Sequence, residues 1–167
     1  MQRFAHRSAN KQFCRIRASN AQRHERGGGT AKARQGTANH KLIERVIKGE
    51  LAMKDIPSQY RPDIEAFFRE VERCGFDIEV TELVVLNPLI ASAGTTDLGL
   101  RSREDGFLYV GDYKSGNVHY AWDGIGVQLA IYTKATHAWV NGELRDITEM
   151  GIRTDRAFIF HGPYGTG

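Results

Sequence analysis

Three side chains in one short stretch have the chemistry to act on a phosphate ester: Asp97, Asp112 and Lys114. Glu104-Asp105-Gly106, between the two acids, reads as a hairpin turn. If Glu104 and Asp105 are the turn residues, Asp97 lies opposite Asp112. If Asp105 and Gly106 are, Asp97 lies opposite Lys114. Directly opposed residues share a face, and so do residues two apart on one strand, so both registers put the trio on one face. A longer loop or a bulge that slipped the register by one residue would part them. Two opposed carboxylates repel, and one then tends to keep its proton. A divalent cation relieves that repulsion, and oxygen ligands suit Mg²⁺ or Mn²⁺. Lys114 would add positive charge where an attacked phosphate sits. The chemistry that fits is metal-assisted phosphodiester hydrolysis. By spacing alone, Asp112 and Lys114 also read as a surface pair, with Asp97 in a turn.

The elements that must carry these residues follow from periodicity. A helix is expected from Gly36, with Thr37 as N-cap, an apolar stripe at Ile43, Val46 and Ile47, and a stop at Gly49. Ser58 caps a second, with Tyr60, Ile64, Phe67, Phe68 and Val71 at helical spacing and an end at Gly75. The pattern then changes to period two. Strands are expected over Asp77–Leu86, about Ala93–Arg101 and Phe107–Tyr113. A helix from about Trp122 to Trp139 and a strand near Ala157–Phe160 follow. This order implies an α/β or α+β layer fold: a central mixed β-sheet with a β-meander or hairpin, flanked by helices.

The 167 residues fit one domain. Residues 1–35 hold nine Lys or Arg and a single acid, Glu25, while the whole chain is +3. We therefore expect a basic, flexible arm over residues 1–35, hinged at Gly27-Gly28-Gly29, and an acidic body over residues 36–167. A basic arm suits phosphate contact. The longest apolar runs, such as Leu83–Leu86, are far too short to span a bilayer, so no membrane partner is expected. The basic N-terminus lacks the apolar core of a secretory signal, and a cytoplasmic location is expected.

The motifs carry a resemblance. Ala93-Gly94-Thr95-Thr96-Asp97, a turn, an apolar strand and Asp112-Tyr113-Lys114-Ser115-Gly116 resemble the core of RecB-like nucleases of the PD-(D/E)XK superfamily. Upstream, Gly36-Thr37-Ala38-Asn39-His40 followed by Glu44 looks like the G-T-x-x-H helix of those proteins. Downstream, Gln128-Leu129-Ala130-Ile131-Tyr132 looks like their Q-x-x-x-Y helix. From about Gly36 to Phe160 the chain is similar to the CRISPR-associated, RecB-like exonucleases carried by actinobacterial phages. The resemblance implies a restriction-endonuclease-like core. It also implies a Mg²⁺- or Mn²⁺-dependent DNA exonuclease of phage recombination or replication, working in the host cytoplasm. Asp97, Asp112 and Lys114 would be catalytic. His40, Asp97, Asp112 and the backbone carbonyl of Tyr113 would hold the metal. Glu44, Glu82, Gln128 and Tyr132 would support the site or contact DNA. Gln128 and Tyr132, four apart, share a helical face, and Glu44, one turn after His40, is placed to orient it.

Two departures stand out. Some relatives bind an iron–sulfur cluster through four cysteines; Cys14 and Cys74 alone cannot, so no cluster is expected. Many relatives continue past the last strand with another helix, so either a fragment or a trimmed end is expected at Gly167. Two other functions compete. Gly162-Pro163-Tyr164-Gly165-Thr166-Gly167 imitates the start of a phosphate-binding loop but lacks the Lys and Ser/Thr that complete it. A non-catalytic DNA-binding protein on a nuclease fold is the other alternative. Of the remaining histidines, only His119 follows the lysine motif closely enough to reach a phosphate.

Overall fold

The computed structural model describes residues 29–115, 122–140 and 142–162. Helix α1 (Gly29–Ile47) begins earlier than expected, so Thr37 is interior to it and the expected arm–body boundary falls inside a helix. Thr30-Ala31-Lys32-Ala33-Arg34-Gln35 carries good helix formers but no apolar stripe, so propensity extends the helix where periodicity is silent. Helix α2 (Arg61–Arg73) is capped by Tyr60, not Ser58, and has Pro62 in its first turn, where a missing N–H costs no hydrogen bond. Its buried stripe is Ile64, Phe67 and Val71. Gly75, at φ 73°, takes the left-handed conformation that turns the chain into the sheet.

The sheet contains β1 (Phe76–Asn87), β2 (Ser92–Ser102), β3 (Leu108–Ser115), β4 (His137–Val140), β5 (Glu143–Asp146) and β6 (Ile152–Gly162), in the order β5-β4-β1-β2-β3-β6. Neighbours are antiparallel except β3 and β6, which run parallel. Helix α3 (Trp122–Thr133) precedes the β4–β5 hairpin. One core cluster joins Ile43, Ile64, Phe67 and Val71 of α1 and α2 to Leu98, Leu100, Tyr113 and Phe160 of the sheet. The other joins Ile125, Leu129 and Tyr132 of α3 to Leu83, Val85, Val110 and Ile159. The expected α/β layer arrangement is thus the one observed: a mixed sheet between helical layers.

Three expectations need correction. The helix expected to reach Trp139 stops at Thr133, and Trp139 lies on β4 opposite Leu144. Leu129, Tyr132, Ala135 and Ala138 are all buried at helical spacing, so the apolar period runs on past the helix end. Asn87 ends the helical path there: its side-chain amide donates to the Lys134 carbonyl at 2.8 Å, and the Thr136 N–H donates to the Leu86 carbonyl at 2.9 Å. Strand β5, Glu-Leu-Arg-Asp on a sheet edge, carries no alternation strong enough to announce it. Finally, the β2–β3 loop is Arg103–Gly106, one residue longer on each side than a Glu104-Asp105 turn, closed by Ser102 N–H to the Phe107 carbonyl at 2.9 Å. Equal lengthening on both sides keeps the parity of the register. The described residues include no helix long and apolar enough to cross a membrane.

Candidate functional site

The β2–β3 ladder pairs Leu98 with Gly111 and stops there. On its other side β3 is paired with β6 from Leu108 on, and beyond Gly111 only that pairing continues, through Asp112↔Ile159, Tyr113↔Phe160 and Lys114↔His161. On the other side of β2, the β1 ladder runs Thr81↔Leu98 and then Leu83↔Thr96, omitting Glu82 and Asp97. Asp97 is therefore outside both ladders. Its Oδ2 instead accepts the Tyr113 N–H at 2.9 Å, a side chain standing in for a strand carbonyl. Thr96, fully buried, donates its hydroxyl to the Gly111 carbonyl at 2.6 Å on the same seam.

The sheet also changes sides here. Leu98 packs in the α1/α2 cluster, yet Leu83, opposite Thr96 and two positions along, packs in the α3 cluster. Regular strands keep residues two apart on one face. The alternation thus flips at the Glu82–Asp97 pair, and Glu82 bears the backbone mark of it at φ 52°.

Asp112 is 2% exposed, and the Lys114 ammonium lies 2.6 Å from its Oδ2. No hydrogen-bond donor is aligned on that oxygen. Burial and then the charge of Asp97 push the Asp112 acid up to about 6, against the opposing pull of Lys114. Burial also raises Asp97, while the Tyr113 N–H and Lys114 pull it back. The charge of Asp97 is the second cause of the Asp112 shift, so the buried acid and its half-buried neighbour oppose each other's ionisation.

His40 reaches the pair from α1, with Nδ1 3.5 Å from Asp97 Oδ2. Its ring packs edge-on against Tyr113, centroids 5.0 Å apart, and hydrogen-bonds the Tyr113 backbone. Burial lowers its pKa, which favours the neutral imidazole. Asn39, fully buried next to it, donates its amide to Asp63 of α2 at 3.4 Å and so ties α1 to α2.

His40, Glu44, Glu82, Asp97 and Tyr113 line one cavity with Ile43, Ile47, Thr81 and Leu98. Glu44 is bonded to Lys48. Asp112, Lys114, Gln128 and Tyr132 are not among the cavity residues; the last two lie on α3, with the Gln128 amide donating to the Tyr132 hydroxyl at 2.8 Å. The Tyr132 ring covers Gly94, where an added Cβ would fall 2.4 Å from Cε1. The glycine of the A-G-T-x-D stretch and the tyrosine of the Q-x-x-x-Y stretch are therefore two halves of one contact. His119 and residues 163–167 of the loop-like tail lie outside the described residues. Periodicity had not flagged Thr96, or the Tyr113 ring that seats His40; each announces itself only through its neighbours across the seam.

Among the described residues, no group of three or more His, Cys, Asp or Glu side chains stands as a ready-made cation site. The donor set nonetheless fits a hard divalent ion: a buried carboxyl beside a half-buried one, a carboxylate oxygen without an aligned donor, and a neutral imidazole next to them. No protein-family profile matches the chain, and no curated protein matches it.

Proposed function

We propose that this chain is a Mg²⁺- or Mn²⁺-dependent deoxyribonuclease of the RecB-like PD-(D/E)XK kind. It acts as an exonuclease on DNA ends, in phage recombination or replication in the host cytoplasm. The observation that carries the reading is the Asp97–Asp112 pair in the gap between β2 and β3, with the Lys114 ammonium 2.6 Å from Asp112. Asp97, Asp112, His40 and the Tyr113 carbonyl would hold the cation. When bound, Mg²⁺ or Mn²⁺ would acidify a water and offset charge on the phosphate.

The protein's own groups do the rest. The Tyr113 N–H fixes the Asp97 carboxylate, so one acid is oriented in advance. An arriving positive charge keeps Asp112 ionised, because it offsets the burial and the repulsion that raised its acid. Lys114 would then turn from Asp112 to the non-bridging phosphate oxygens and stabilise their charge while a water oxygen bonds to phosphorus, losing its proton to solvent, and the bond to the leaving DNA oxygen, which takes a proton from solvent, breaks. His40, kept neutral by burial, retains its lone pair.

The test is digestion of end-labelled single- and double-stranded DNA beside a closed circle, with Mg²⁺ or Mn²⁺ and with chelator. We expect linear DNA to shorten, the circle to persist and chelator to stop the reaction. Intact DNA retained regardless of metal would replace this reading with a DNA-binding protein. A cut circle would replace the exonuclease with an endonuclease.

A further inference from the structure

Glu82 is one of two non-glycine residues in the described chain with positive φ, and it sits in the middle of a strand. A left-handed conformation strains an ordinary residue and costs glycine almost nothing. Such an outlier points towards function rather than packing. The register makes Glu82 the partner of Asp97 at the one pair that the β1–β2 ladder omits between Thr81 and Leu83. Its side chain is exposed and lines the cavity shared by His40, Glu44 and Asp97. Among the described residues, no hydrogen bond or ion pair occupies its carboxylate. Its charge is felt by Asp97 and by Lys48, and Lys48 is already bonded to Glu44.

We infer that Glu82 is a positioning residue for the cation-binding pair, acting on Asp97 from across the strand; this rests on the nuclease reading above. The kinked backbone releases Asp97 from the ladder. The carboxylate keeps Asp97 turned to the Tyr113 N–H by repulsion and deepens the negative potential that a cation meets at the cavity mouth. A backbone role alone would be served without strain by glycine, so Glu82→Gly separates the two contributions. Glu82→Gln separates charge from shape.

The experiment titrates Mn²⁺ by calorimetry, and by DNA digestion, into the full chain, Glu82→Gln, Glu82→Gly and Asp112→Asn. Both Glu82 variants should need about fivefold more Mn²⁺ for half-saturation and half-maximal rate, the size expected of one nearby charge in a wet cleft. Glu82→Gly should melt at or above wild type, because its backbone strain is relieved. If either Glu82 variant takes up Mn²⁺ like wild type while Asp112→Asn is inactive, the inference is overturned and the nuclease reading stands. If Asp112→Asn digests DNA at the wild-type rate, the nuclease reading falls, and this inference falls with it.

Discussion

Asp112 is held in a state its ordinary chemistry opposes. Burial and the neighbouring Asp97 raise its acid from 3.8 to about 6, and Lys114 only partly offsets them. The sign of the consequence follows from proton binding. The folded chain holds this proton more tightly than the unfolded chain does. The stabilisation it brings is complete below the unfolded value of 3.8, and is lost as pH rises through about 6. The shift corresponds to about 3 kcal/mol. Asp112→Asn keeps the shape and removes the titration. Without metal it should melt several degrees above wild type at neutral pH, and that advantage should shrink towards pH 4. Thermal melts of both proteins across this range check it; a constant difference at every pH would show that Asp112 is not under strain. The two acids and the lysine were legible as residue types and spacing. The raised acid was legible only as a tendency, because it depends on how deeply Asp112 is buried.

At the scale of elements, the site exists because β3 loses its β2 partner while keeping β6. It leaves β2 after Gly111 and continues against β6, and Asp97 and Asp112 face each other where the strands part. Alternation located β1, β2 and β3 closely, since each has a run of residues on a buried face. It could not reveal the reversal at Glu82 and Asp97, because a flip in both strands at once leaves each half with regular alternation. The Arg103–Gly106 loop was missed as well, but symmetric lengthening spared the register. Helix α3 holds β2 in place through Tyr132 on Gly94. Gly94→Ala should therefore force the ring or the strand to move, at a cost of about 1–3 kcal/mol in urea unfolding, and should slow digestion because Asp97 lies on the same strand. In a Tyr132→Leu background the cost should largely vanish. An equal cost in both backgrounds would show that the contact does not hold the strand.

For the whole molecule, three layers divide the work. Helices α1 and α2 bring His40 to one side of the gap through a core built on Phe67, Tyr113 and Phe160. Helix α3 braces the strands from the other side through Leu129 and Tyr132. The layer order was legible because it follows from the succession of helical and strand periods. The β4–β5 hairpin was not, since Ala135 and Ala138 continue the helical spacing of α3 and β5 is a short polar edge. The chain's formal charge is +3, with its positive surplus in residues 1–35, so the described body is acidic and its cation-binding capacity can be measured directly. Calorimetric titration of Mn²⁺ into the metal-free chain and into Asp112→Asn at neutral pH does so. The wild type should take up Mn²⁺ saturably, with uptake weakened by about tenfold or more in the variant, since one ligand and its charge are gone. Equal uptake by the two proteins, or none by the wild type, would contradict this reading.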